Sequence, residues 1–255
     1  MLEITPCSAK KQSELALEWD QLAVERHRQI VSGEDFSFDY ILVPTILRLL
    51  EETDPSLVLD IGSGTGDFTV RLSKWAMRVI GIDSSRVSID VARASWPDRS
   101  NVCFIHSSLE EITTEISEMP FTAATACMTL MTTPDLVVFA GVIARILPKN
   151  AKFVAMIPHP CFWPKYWGYE TEKWFNYTKE IFIEGPFVIS SRRTKIRTTH
   201  VHRPLEQYLS VFKEAGFTLD GFLEPMPTPE INALYPKPWQ FPRFIGLRWA
   251  KAKEE

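Results

Sequence analysis

The chain has 255 residues, of which 45% are hydrophobic and 24% charged, with a formal net charge of −4 at pH 7. These are the proportions of a folded globular protein and argue against disorder, and the acidic balance lacks the basic excess of a typical nucleic-acid binder. No stretch approaches the roughly 18 apolar residues that span a bilayer, and the N-terminus lacks the continuous apolar run of a signal peptide.

In chain order, residues 14–31 and 40–52 read as helices, the second with Pro44 near its start. From Ser56 onward, apolar runs of strand length alternate with helical segments. Strands are predicted at 56–61, 78–83, 102–105, 121–128 and 151–157, with helices at 67–75, 84–94 and 134–147 between them. Ser84 and Ser85 are candidate N-caps for the second of these helices. The runs are apolar throughout, as in strands covered on both faces, and strand–helix alternation implies a parallel sheet. Residues 158–203 break this pattern with an aromatic stretch followed by strand-like pieces near 179–190 and 195–201. A helix over 204–215 follows, with Pro204 in its first turn and Gly216 just past its end, and strands are predicted at 217–223 and 244–250.

The most informative segment is Leu59-Asp60-Ile61-Gly62-Ser63-Gly64-Thr65-Gly66-Asp67, which leaves a strand and opens a helix. Glycines there let the backbone turn sharply and let a ligand approach the main chain, where free N–H groups at a helix start favour an anionic group. Dinucleotide binders space these glycines as GxGxxG; here the spacing is GxGxG. Asp60, ahead of the first glycine, suits an ammonium group or an ordered water and gives nothing to a pyrophosphate. Asp83 ends the second strand, where a carboxylate can take a ribose hydroxyl pair, a role open to any adenosine cofactor. Alone, it reads equally as a neighbour of a helix cap.

With these segments the chain resembles the class I S-adenosylmethionine-dependent methyltransferases, from about Ser56 to Ala250. VLDIGSGTGDFT is similar to the family's first motif and VIGIDSS to its second; CMTLMTTPDL, RILPKNAKFV, HPCF and HRPLEQYLSVFKEAGF also match family segments, the last as in small-molecule members. The resemblance implies an α/β fold with a Rossmann-like seven-stranded sheet, mostly parallel with an antiparallel final strand. It implies an N-terminal helical cap over 1–54, a cofactor-binding core over 55–157, a substrate-lid insertion over 158–203 after the fifth strand, and the rest of the core over 204–255. The cofactor would be S-adenosyl-L-methionine, touched by Asp60, Gly62, Ser63, Gly64, Gly66, Asp83, Ser84, Ser107, Ser108, Leu109, Cys127 and Met128. Ser107 stands where the family often has an Asp, and Phe121-Thr122 where it often has Phe-Asp. The opening helix with Trp19, Arg26 and His27, followed by Asp35 and Tyr40, is similar to a family element that often caps the cofactor, with Trp19 and Tyr40 as contacts; Trp19 reads nearly as well as plain core.

Between Pro158 and Phe187 there are ten aromatic residues, against 12% aromatics in the whole chain, so the enrichment is local. They read as a lid or pocket wall holding an apolar or aromatic substrate, with Phe162, Trp163, Trp167, Tyr169, Trp174 and Tyr177 as contacts beside Met131. A satellite core or a dimer interface would show the same enrichment. Methyl transfer needs a base only if the nucleophile must lose a proton; His159, His200 and His202 are the candidates because they flank the insertion. The His-x-His pair has no acid or third ligand nearby in sequence, so no metal is expected. Arg192, Arg193, Lys195 and Arg197 read as a solvated edge strand, or else as a site for a substrate anion.

The expected protein is therefore a methyltransferase for a small-molecule acceptor, by O- or N-methylation or else C-methylation. Neither nucleic acid nor membrane is expected as a partner, and the chain is expected to be a monomer or homodimer. Cys7, Cys103, Cys127 and Cys161 are widely spaced, which reads as free thiols and a cytoplasmic location. The alternatives are a non-catalytic S-adenosylmethionine-binding protein and a nicotinamide-dependent oxidoreductase.

Overall fold

The N-terminal segment forms a two-residue strand, β1 (Thr5–Pro6), and a long helix, α1 (Gln12–Val31). The Glu14 carboxylate accepts the Lys11 N–H at 2.9 Å and closes the start of that helix. A π-helical turn at Phe38–Leu42 runs into α2 (Val43–Leu49), with Pro44 in its first turn. The computed structural model describes residues 3–189 and 193–252.

The core then alternates β2 (Val58–Ile61), α3 (Asp67–Leu72), β3 (Val79–Asp83), α4 (Arg86–Ser95), β4 (Val102–His106), α5 (Thr114–Ser117), β5 (Ala123–Cys127), α6 (Leu136–Ile146) and β6 (Lys152–Pro158), with a 3₁₀ turn at Leu130–Thr132. After β6 come α7 (Trp163–Trp167), β7 (Ile181–Val188) and β8 (Arg193–His202), then α8 (Leu205–Glu214), β9 (Phe217–Leu223), α9 (Pro229–Asn232) and β10 (Phe244–Lys251).

Seven strands form one sheet in the order β4-β3-β2-β5-β6-β10-β9. Strands β2 to β6 are parallel, and β10 runs antiparallel to both of its neighbours. The period-two geometry of a strand sends alternate side chains to opposite faces, and both faces are apolar. Leu59, Ile61, Ile80, Ile82, Phe153 and Ala155 pack with Phe139, Ile143 and Phe212 on one side. Val58, Val79, Val154 and Met156 pack with Ile46, Leu49 and Leu72 on the other. This is why the strands read as unbroken apolar runs. The chain leaves β2 toward β3 and β4, then returns to β5 on the other side, so the order reverses at β2/β5, where open α/β sheets bind ligands.

Local chemistry sets the starts of α4, α6 and α8 within a residue or two of expectation. The Ser85 hydroxyl accepts the Ser88 N–H at 3.0 Å, so α4 begins at Arg86. Asp135 accepts the Val138 N–H at 2.9 Å at the head of α6. Pro204 is the extended N-cap of α8, one residue outside the first turn where it was expected.

The insertion is a second sheet, ordered β1-β7-β8 and wholly antiparallel. Its third strand comes from the N-terminal segment, so cap and insertion are joined. Lys10 Nζ donates to Glu18, Glu184 and Thr199 at 2.6, 2.9 and 2.8 Å, linking α1, β7 and β8. Buried Arg203 donates to the carbonyls of Leu130, Thr133 and Pro134 and to Glu180 at 2.6 Å, pinning the end of β8 to the loop after β5. Of the basic cluster, Arg197 donates to Glu184 on the neighbouring strand at 2.6 Å and Lys195 is exposed. Arg192 and the side chain of Arg193 lie outside the described residues.

Candidate active site

Gly62, Gly64 and Gly66 all have positive φ, at 69°, 54° and 81°, but three different reasons hold them there. A Cβ on Gly62 would lie 2.3 Å from Thr129 Oγ1, and that hydroxyl donates to Ile61 O at 3.0 Å. A Cβ on Gly66 would strike the Phe104 ring at 2.5 Å. A Cβ on Gly64 would meet nothing within 4 Å. Only Gly64 opens onto empty space. The loop amides differ from expectation: Gly62 and Ser63 N–H both donate to Ile82 O, and Gly66 N–H to Ser63 O, so they serve the turn itself.

Asp60 lies beneath this loop with both carboxylate oxygens engaged, accepting Thr69 Oγ1–H at 2.7 Å and Thr125 Oγ1–H at 2.9 Å. Burial pushes its pKa up to about 7, against the opposing effect of the two hydroxyls. Asp83 accepts the Gly64 N–H at 2.8 Å and the Ser85 N–H at 2.7 Å. A carboxylate has about four lone-pair sites, so two remain. Burial raises its pKa above the ordinary carboxylate range, while those two N–H groups act the other way.

Helix α1 closes over this edge. Asp20 accepts the Ser85 hydroxyl at 2.6 Å and the Val87 N–H at 3.0 Å, Gln12 donates to Ser84 Oγ at 2.9 Å, and His27 donates to Asp67 at 3.0 Å. The cavity so enclosed is lined by Gly62, Ser63, Gly64, Asp83, Ser84, Ser107, Ser108, Leu109, Cys127, Met128 and Trp19. Burial raises the Cys127 thiol pKa, so it stays protonated. Three expected contacts are elsewhere. Asp60 is sealed below the loop, Gly66 faces Phe104, and Tyr40 is 49% exposed on the π-helical turn.

A second cavity adjoins the first, and both are lined by Trp19, Arg26, Leu42, Met128 and Thr132. Met128 holds φ +60°, a strained conformation for a side chain of its size. The second cavity, about 130 Å³, is lined by Met131, Trp163, Trp167 and His200 among the expected residues. A water needs roughly 10–15 Å³ on the same measure, so there is room for an organic molecule. Tyr166, Phe187, Phe244, Asp35 and Arg243 complete its wall. The remaining aromatics pack away from it. Phe162 stacks on Phe241 at 5.5 Å, and Tyr169, 1% exposed, stacks on Trp174 at 5.5 Å. Tyr177 sits edge-on to His202 and accepts the Leu205 N–H at 3.0 Å. The aromatic insertion thus has an inner wall and a satellite core.

The three histidines separate in the same way. His159 donates from Nε2 to Glu224 at 2.7 Å and accepts the Cys161 N–H on Nδ1, so neither nitrogen is spare. His202 donates to Tyr177 O at 3.0 Å within the satellite core. Neither lines either of these two cavities. His200 does, beside Tyr169 OH at 3.3 Å. Burial, aided by His202, pulls its pKa down to about 3, so its imidazole is neutral and a weak base. Arg26 pairs with Asp35 at 2.7 Å where the two cavities meet. Arg243 carries no local sequence signal; only the course of the chain into β10 brings it here. Among the described residues no cluster of three or more His, Cys, Asp or Glu forms a metal site.

Residues 58–150 match the family model described as a methyltransferase domain. Over these residues the chain carries a methyltransferase domain. The match runs from β2 to just before β6, so it covers the glycine loop and Asp83 and leaves α7, β7 and β8 outside. An rRNA adenine N-6-methyltransferase of Bacteroides fragilis is 32% identical over 71 residues, 28% of this chain and 27% of that protein. The matched stretch thus spans about a quarter of that relative. Two solved structures share the fold of this methyltransferase domain and its surroundings. One is an S-adenosylmethionine-dependent methyltransferase from Mesorhizobium loti, at TM-score 0.58 and 19% identity, covering 81% of this chain and 96% of that one. The other is 1,6-didemethyltoxoflavin-N1-methyltransferase from Burkholderia thailandensis, with bound 1,6-didemethyltoxoflavin and S-adenosylhomocysteine, at TM-score 0.60 and 16% identity, covering 99% and 96%. No helix among the described residues is long and apolar enough to cross a membrane.

Proposed function

We propose that this protein transfers the methyl group of S-adenosylmethionine to a small, planar acceptor held in the second cavity. The observation that carries this reading is the junction of the two cavities, where Trp19, Arg26, Leu42, Met128 and Thr132 line both. The first cavity suits the cofactor. Gly64 leaves open the space a side chain would fill, Ser63 Oγ is buried with no hydrogen-bond partner among the described residues, and Asp83 keeps lone pairs for ribose hydroxyls. Ser107, Ser108 and Leu109 would flank the base, and Trp19 would cover it from α1.

When bound, the cofactor supplies a methyl group on a cationic sulfur, and the protein supplies alignment and a dry site. Trp163, Tyr166, Trp167, Phe187 and Phe244 exclude water around the acceptor. The Arg26–Asp35 pair is neutral overall and adds no net charge beside the sulfonium. His200, uncharged, offers a hydrogen bond and is too weak a base to take a proton at neutral pH. Alignment therefore carries the rate, and holding nucleophile and methyl in attack geometry can lower a barrier by about 7–11 kcal/mol. The acceptor attacks through an available lone pair, as an amine or an already ionised oxygen would. The four cysteines are free thiols, in keeping with a cytoplasmic enzyme.

The test is a screen with radiolabelled S-adenosylmethionine, offering small aromatic acceptors and ribosomal RNA in parallel. Label in a small acceptor supports the proposal. Label in RNA with none in any small molecule overturns it.

A further inference from the structure

Among the described residues, two arginines and one aspartate line the second cavity: Arg26, Arg243 and Asp35. Arg26 and Asp35 neutralise one another at 2.7 Å. Arg243 has no such partner. It is 5% exposed, and among the described residues its guanidinium donates to one carbonyl, Lys237 O at 2.6 Å, and to no carboxylate. A guanidinium has five N–H donors, and an unpaired charge taken out of water is costly unless something compensates it. Aromatic faces compensate in part. The guanidinium lies 3.9 Å from the Tyr166 ring centre, 4.7 Å from Trp239 and 5.5 Å from Tyr235. Those rings also fix its orientation. The wall of the cavity thus carries a net positive charge, held among rings in a lining that also includes Trp163, Trp167 and Phe244.

We propose that the acceptor is a planar aromatic acid whose carboxylate, or an anionic group of the same shape, seats on Arg243. This rests on reading the second cavity as the acceptor site. A carboxylate matches the guanidinium fork in two parallel hydrogen bonds, which orients as well as binds. It would fix the ring in the second cavity with its other edge toward Met128 and the first.

The test is calorimetry on the full chain with matched probes, 4-hydroxybenzoate against 4-hydroxybenzamide and indole-3-carboxylate against its carboxamide, each with and without S-adenosylhomocysteine. The wild type should bind each acid roughly ten- to a hundredfold tighter than its amide, the range for a hydrogen bond to a charged group. Arg243→Met should abolish that preference and Arg243→Lys should retain part of it, with S-adenosylhomocysteine affinity reporting that both variants are folded. Equal binding of acid and amide by the wild type, no binding of any acid, or a preference that survives Arg243→Met overturns the inference and leaves Arg243 as a structural clamp on the aromatic cluster. Failure of S-adenosylhomocysteine to bind would count instead against methyl transfer, since the acid preference is also read without it.

Discussion

Alanine at Gly64 and alanine at Gly62 are chemically identical changes two residues apart, yet they should fail in different ways. At Gly64 the added Cβ meets nothing within 4 Å, so the cost to the fold is the left-handed backbone at φ +54°. That is about 1–2 kcal/mol for a residue with a side chain, or a few degrees in melting temperature for a chain of this size. The methyl group would instead occupy the space proposed for the cofactor. At Gly62 the same backbone cost is joined by a 2.3 Å overlap with Thr129 Oγ1, whose hydrogen bond to Ile61 O must give way. Losing that bond adds roughly 1 kcal/mol before any repulsion. Gly64→Ala should therefore keep most of its melting temperature and lose tenfold or more in S-adenosylhomocysteine affinity by calorimetry (about 1.4 kcal/mol). Gly62→Ala should lose both, and Thr129→Ala should restore part of its melting temperature, as coupled neighbours do. If Gly64→Ala binds S-adenosylhomocysteine as the wild type does, the cofactor does not lie over this loop and the reasoning fails.

Other residues give equally direct tests. Burial raises the Asp60 pKa from 3.8 to about 7, so between those values the folded chain holds a proton that the unfolded chain has released. Asp60 is therefore best tolerated at low pH, and stability on the order of a few kcal/mol is lost as pH rises through 7. The melting temperature of Asp60→Asn, which cannot ionise, should gain on the wild type between pH 5 and 8, and a constant offset would refute the assignment. Tyr169→Ala should cost about 3–5 kcal/mol in denaturant unfolding, as for other buried aromatics, whereas Trp167→Ala should spare stability and raise KM for the acceptor. The reverse pattern would exchange the inner wall and the satellite core. His159→Gln and His202→Gln should lower the melting temperature and leave kcat within a few fold, because neither side chain lines the cofactor or acceptor cavity. A hundredfold loss of kcat with unchanged stability would restore either one as a base.

Much of the cofactor half was legible in the chain itself, because it rests on short-range rules. Strands β2 to β6 are apolar runs because both faces of the sheet are covered, and the glycine loop shows itself because only glycine is easy at positive φ. The Ser85 cap shows because a short polar side chain can bond an amide three residues on. The aromatic insertion was visible as composition, but its division was not. Trp163, Tyr166 and Trp167 reach the cavity while Tyr169, Trp174 and Tyr177 turn away, and that depends on how α7 and the β1-β7-β8 sheet sit on the core. The same holds for His159, whose two nitrogens are consumed by Glu224 and a neighbouring amide, and for the strained backbone of Met128. Arg243 is the clearest case, lying more than two hundred residues beyond Arg26 and Asp35 and yet lining the same cavity. Periodicity and spacing report what a residue does with its near neighbours in the chain; the charge balance of a cavity is set by contacts between distant segments, which only the folded chain brings together.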